Sequence, residues 1–128
     1  MTGLIARLVV HFDVAKTSPN ARSHWRTRHA NNKKAQRAAW ESWLVYGSPV
    51  ADGPVDVQII LLRSREMDQD NALASCKGVI DGLFKDRITP DDVPKYVTFR
   101  PVQQAPHKSH RADPTVIVEV YRRGEDGE

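Results

Sequence analysis

Hydrophobic positions in this chain follow two rhythms, one of period two and one close to 3.6. Leu4 to Phe12 alternates loosely and is rich in Leu, Ile, Val and Phe, which predicts a strand; Thr17, Ser18, Pro19 and Asn20 then end it as turn residues do. The stretch ARSHWRTRHANNKK that follows is too polar to pack inward and is expected as an exposed loop. From Ala35 to Tyr46 the rhythm becomes helical. Asn31 or Asn32 offers a cap, Ala39, Trp40, Trp43 and Leu44 form an apolar stripe that reads as core, and Gly47 and Pro49 supply the stop. Val55 to Leu62 is β-branched and apolar, which predicts a central strand buried on both faces. Asn71 then caps a helix from Ala72 to Lys85, with Leu73, Cys76, Ile80, Leu83 and Phe84 on one side. Alternation in Lys95 to Arg100 and Thr115 to Tyr121 predicts the last two strands, with the polar segment Gln103 to Pro114 as a hairpin tip between them.

These elements give an α+β fold: a single domain over residues 1–123, with a small mixed β-sheet packed with two main helices in the order β-α-β-α-β-β. Residues 124–128, GEDGE, form an acidic tail expected to be disordered. A chain of 128 residues with 40% hydrophobic and 27% charged residues can bury an ordinary core. Its single cysteine, Cys76, cannot form an internal disulfide, which fits a reducing, cytoplasmic setting. Arg7 interrupts the apolar N-terminus and no small-residue cleavage site follows, so a signal peptide is not expected. No apolar run nears the ~20 residues of a membrane span.

Charge alters the picture more than composition does. The net charge is only +3, yet between Val14 and Trp40 stand Lys16, Arg22, Arg26, Arg28, Lys33, Lys34 and Arg37 with no acidic residue, a distribution that attracts a polyanion. Arg63 and Arg65 add to it just after the central strand.

The candidate chemistry lies between Arg63 and Asp92. Asp68, Asp70 and Asn71 spell D-x-D-N; a helix carrying Lys77 and Asp81 follows, and Asp91 and Asp92 close the segment. Carboxylates two apart in extended backbone point to one face and suit a hard divalent cation. The same pattern also serves as a helix cap with acids favourable to the helix dipole. It is not a calcium loop, since Ala72 and Leu73 occupy the places of a ligand and the glycine. No phosphate-binding glycine loop and no G-x-S-x-G elbow is present, so no nucleotide cofactor is expected. Cys76 reads as a buried small hydrophobe, and His107 and His110 as a loop touching phosphate or solvent. Basic arm, acidic cluster, helix-borne lysine and second acidic pair together describe metal-assisted phosphodiester hydrolysis.

The run D-x-D-N, then Lys77, then Asp81 four positions on, then Asp91-Asp92, resembles the RusA family of Holliday junction resolvases, as does the upstream Ser18-Pro19-Asn20-Ala21-Arg22. The resemblance implies metal-binding acids at Asp68, Asp70 and Asp92 and an essential lysine at Lys77. It further implies a homodimeric endonuclease dependent on Mg²⁺, with Mn²⁺ as a substitute, that nicks opposed strands of a four-way DNA junction in recombination and repair. On this reading Arg22, Arg26, Arg28, Lys33 and Lys34 track the phosphate backbone, Arg63 and Arg65 lie closer in, and Asn71 and Asp81 support the carboxylates. One departure stands out: Lys77 follows Asn71 three residues later than the family pattern has it. Either the side chain reaches back, or the extra residues loop out, or Lys77 only pairs with Asp81. A nuclease of the same fold preferring flaps or forks, and a catalytically silent DNA-binding protein, are the alternatives.

Overall fold

Two antiparallel strands, β2 (Val55–Leu62) and β5 (Thr115–Arg122), form the middle of the sheet, with Val57 opposite Val120, Ile59 opposite Val118 and Leu61 opposite Val116. In the computed structural model, which describes residues 3–18 and 25–124, β1 (Leu4–His11) is antiparallel on the far side of β5. β3 (Val97–Phe99) and β4 (Gln103–Gln104) both run parallel to β2 along its other edge. The result is an α+β fold with a mixed five-stranded sheet in the order β1-β5-β2-β3, β4 also pairing with β2. Between β3 and β4 stands Pro101, which has no N–H for the ladder. The Gln58 side chain bridges the gap, donating to the carbonyls of Pro101 (2.9 Å) and Ile59 (3.0 Å).

Two sequence expectations fail here. The last two strands are no hairpin: β3 pairs with β2, and residues 103–114 run beside β2 before the chain returns through the centre as β5. Nor is β2 buried on both faces. Val55, Val57, Ile59 and Leu61 are buried, but Asp56, Ile60 and Leu62 on the opposite face are half-exposed, because the helices join the core on one face only.

The helices are α1 (Trp25–Val45), α2 (Gln69–Ser75) and α3 (Lys77–Leu83). The basic stretch from Trp25 is therefore helical and continuous with the predicted helix, with Asn31 and Asn32 inside it rather than capping it. Arg, Lys, Gln and Ala are all good helix formers, and a helix needs only one buried stripe. That stripe is Ala35, Ala39 and Ser42, small residues, while Trp40 and Leu44 are exposed and Trp43 is half-buried with its indole N–H on the Pro49 carbonyl at 2.9 Å. Small residues bring α3 close. A Cβ on Gly78 would lie 2.7 Å from Ala35 Cβ, and one on Gly82 2.8 Å from Ala39 Cβ. Gly47, at φ +89, ends α1 as expected: its N–H bonds the Leu44 carbonyl and that of Ser48 bonds Trp43.

The second predicted helix is broken at Cys76 (φ −88, ψ 2) into α2 and α3. Cys76, Ile80, Leu83 and Phe84 are buried as expected, and Leu73 is exposed. Among the described residues no helix is long and apolar enough to cross a membrane. Arg22 and the rest of Pro19–Arg22, together with residues 125–128 of the tail, lie outside the described residues.

Candidate metal and nucleic-acid site

The chain leaving β2 is fixed by two glutamines. Gln104 Oε1 accepts from the Met67 N–H and its amide donates to the Met67 carbonyl, both at 2.8 Å. Gln69 does the same to Val102, accepting at 2.7 Å and donating at 3.0 Å. Sequence reasoning passed over both, since a lone glutamine between two aspartates carries no signal of what it will meet across the chain. They anchor the residue between Asp68 and Asp70; because α2 already begins at Gln69, the extended backbone expected to point both carboxylates to one face is not found, and Asp70 lies in the first helical turn.

Asp68 occupies the N-cap position of α2 and makes no capping hydrogen bond through its side chain. Helix α2 starts before Asn71, so Asn71 lies within the first turn and does not cap it. Asp68 and Asp70 are both exposed, and neither carboxylate has a hydrogen bond or ion pair among the described residues. Asp68 lines a hollow of about 380 Å³ together with Ser18, Arg63, Arg65, Glu66 and Asn71. Arg63 is largely committed: its Nε lies 3.5 Å from Asp13 Oδ1 and its Nη1 donates to the Arg65 carbonyl at 3.0 Å. Arg65 is exposed and Glu66 is an acid that the sequence reading missed.

Asp92 is elsewhere. Met67 and Gln69 sit at the end of β2 that pairs with Gln104, whereas Asp92 precedes Val97, which pairs with Val55 at the other end. The residues of α2 and α3 between them span on the order of 20 Å at ~1.5 Å per residue. One chain therefore does not bring Asp92 to Asp68 and Asp70, and among the described residues no three His, Cys, Asp or Glu side chains stand close enough to hold a metal. The βαβ connection is the reason: a helix pair that joins two adjacent parallel strands carries the chain from the C-terminal end of β2 back to the N-terminal end of β3.

Lys77 belongs with that far cluster. Its Nζ is 3.8 Å from Asp81 Oδ1, and Lys85 Nζ approaches the same oxygen at 3.6 Å. Of the three readings of the spacing departure, the structure gives the ion pair with Asp81, and the extra residues form α2 instead of looping out. Asp92 titrates above the usual carboxylate range, through partial burial, its hydrogen bond with Asp91 and the charge of Asp81, with Lys85 opposing. Burial pushes the Cys76 thiol up to about 12, and its Sγ donates to the Ala72 carbonyl, in line with an inert core position.

Helix α1 presents the cations. At ~100° per residue Arg26, Lys33, Arg37 and Trp40 share one face, while half-buried Arg28 continues the Ala35–Ala39–Ser42 stripe and Trp25 flanks it. A groove of about 510 Å³ between α1 and α3 is lined by Lys33, Arg37, Trp40, Asp81 and Arg87. His107 and His110 stack edge to face with ring centres 6.1 Å apart, and His107 Nδ1 is bonded to Ser109, not aimed at a shared ion.

No protein-family model matches the chain, and no curated protein matches it either. The chemical reading therefore rests on the residues. Asp68 and Asp70 supply hard oxygen donors with free lone pairs. That fits Mg²⁺, which takes one or two carboxylates and completes its shell with water and phosphate. Asp92 does not fit as a third ligand from the same chain.

Proposed function

We propose that this protein is a Mg²⁺-dependent endonuclease that acts on branched DNA as a homodimer, the four-way junction being its substrate and the cytoplasm its setting. The observation that carries the reading is the carboxylates of Asp68 and Asp70, unpartnered among the described residues, on either side of the anchored Gln69, with Asp68 in a hollow beside Arg65 and the basic helix α1, whose single acid Glu41 is paired with Arg37, to serve them. Asp68 and Asp70 would hold the ion. When bound, it supplies an activated water and offsets charge on the scissile phosphate. Arg65 orients that phosphate, and Arg26, Arg28, Lys33 and Lys34 hold the flanking backbone, contacts that position DNA without reading its sequence. Two symmetric nicks require two symmetric sites, hence the two-fold dimer. Asp92, which the RusA resemblance assigns to the same chemistry, would reach the acids from a second chain, and Lys77, which it also assigns there, is paired with Asp81.

The test is a synthetic four-way junction incubated with Mg²⁺ or Mn²⁺. The unaltered protein should nick it, and Asp70→Asn should bind it with near-unchanged affinity while cutting at least about a hundredfold more slowly. Intact junctions across a range of both ions would end the nuclease reading. Binding without cutting would leave a DNA-binding protein, and preferential cutting of flaps or forks would reassign the substrate.

A further inference from the structure

We infer that Trp25 is the stacking platform of a binding site for an unpaired nucleotide, next to the acidic hollow. Trp25 begins the described part of α1 and is 60% exposed, an unusual state for the largest apolar side chain. It lines a hollow of about 410 Å³ with Thr17, Ser18, Arg28, His29 and Asn32. The floor of that hollow is built: the Thr17 hydroxyl donates to the Ser75 carbonyl at 2.7 Å and to Val14 at 3.1 Å, tying the turn Val14–Thr17 to the end of α2. The Asn31 amide donates to the Lys16 carbonyl at 3.4 Å and fixes α1 to the same turn.

The chemistry of the walls selects the occupant. Its walls bring together an indole, a guanidinium, an imidazole and uncharged polar residues, and among the described residues no acid lines the space. An aromatic platform flanked by cations suits a base with its phosphate, because every base has a π-face and every phosphate a charge. Arg26 lies over one face of the Trp25 ring, 5.3 Å from its centre, so a cation already covers that face and the base would take the other. The buried Ser18 lines both this hollow and the one containing Asp68.

This deepens the DNA-binding part of the proposed function by naming the feature recognised, an unpaired base, and it does not depend on cleavage. The experiment measures, in EDTA, fluorescence-anisotropy binding of the full-length protein to a short single-stranded oligonucleotide and to a blunt duplex of the same length. Trp25→Ala should weaken single-strand binding about tenfold or more and leave duplex binding within about twofold, while Trp25→Phe should retain most of the affinity. An unchanged thermal melt for both variants establishes folding at this exposed position. Equal loss on both ligands, or no loss on either, overturns the inference. Junction nicking by Trp25→Ala at the unaltered rate alongside unchanged single-strand binding would do so while leaving the nuclease reading in place.

Discussion

The side-chain amide of Gln69 pairs with both backbone polar groups of Val102, accepting its N–H at 2.7 Å and donating to its carbonyl at 3.0 Å. The residue between the two candidate metal ligands is thus joined to the edge of the sheet 33 positions away.

Replacing Gln69 with Leu removes both bonds and leaves the buried Val102 backbone without partners. A net hydrogen bond contributes about 0.5–1.5 kcal/mol and an orphaned group costs about 1–3 kcal/mol, so the variant should lose on the order of 2 kcal/mol in urea or thermal unfolding. Because the same bond fixes Asp68 and Asp70, cleavage in limiting Mg²⁺ should fall further than the stability loss accounts for, and excess Mg²⁺ should restore part of it.

Gly82 sets the closest approach of α1 and α3. Alanine there brings a gain in helix propensity of up to about 1 kcal/mol. It also drives a Cβ into Ala39 and the Gln36 carbonyl oxygen, a backbone atom that cannot swing aside. Overpacking costs about 1–3 kcal/mol and wins, so Gly82→Ala should lower the melting temperature by several degrees. Ala39→Gly in the same chain should recover only part, since the clash with Gln36 persists.

The distance between Asp92 and the Asp68–Asp70 pair makes chain mixing decisive. Asp70→Asn and Asp92→Asn homodimers should each be inactive in junction cleavage, and an equimolar mixture refolded together should regain a fraction of the unaltered rate, because one composite site per mixed dimer is intact. A mixture as inactive as its components would show that Asp92 does not act across chains.

Asp92 also gives a pH signature. Its carboxyl titrates above the ordinary 3.8 in the folded chain, so its contribution to stability is present below that value and is lost as pH rises through the raised one. At neutral pH the ionised form is held at a cost, and Asp92→Asn should melt slightly higher, by about 2 °C, with the advantage vanishing below pH 4. An unchanged difference across pH 3.5–7.5 would show that its ionisation is not linked to folding.

Much of this protein was legible in the amino-acid order. Period-two runs located β1 and β5 and a β-branched apolar run located β2, because both are local properties of a strand. Gly47 ended α1 for an equally local reason, its φ of +89. Asp68 and Asp70 emerged as candidates because adjacent positions suffice to pair them. Tertiary structure decided the rest. Whether WRTRHANNKK, Trp25 to Lys34, was loop or helix depended on whether Ala35 and Ala39 would find glycines on α3. The placement of β5 between β1 and β2, where a hairpin with β3 was expected, depended on pairing over more than fifty residues, which leaves no trace in local periodicity. The acids followed from the same topology: sequence proximity suggested one cluster of Asp68, Asp70 and Asp92, but a helix pair connecting adjacent parallel strands starts at one end of the strands and finishes at the other.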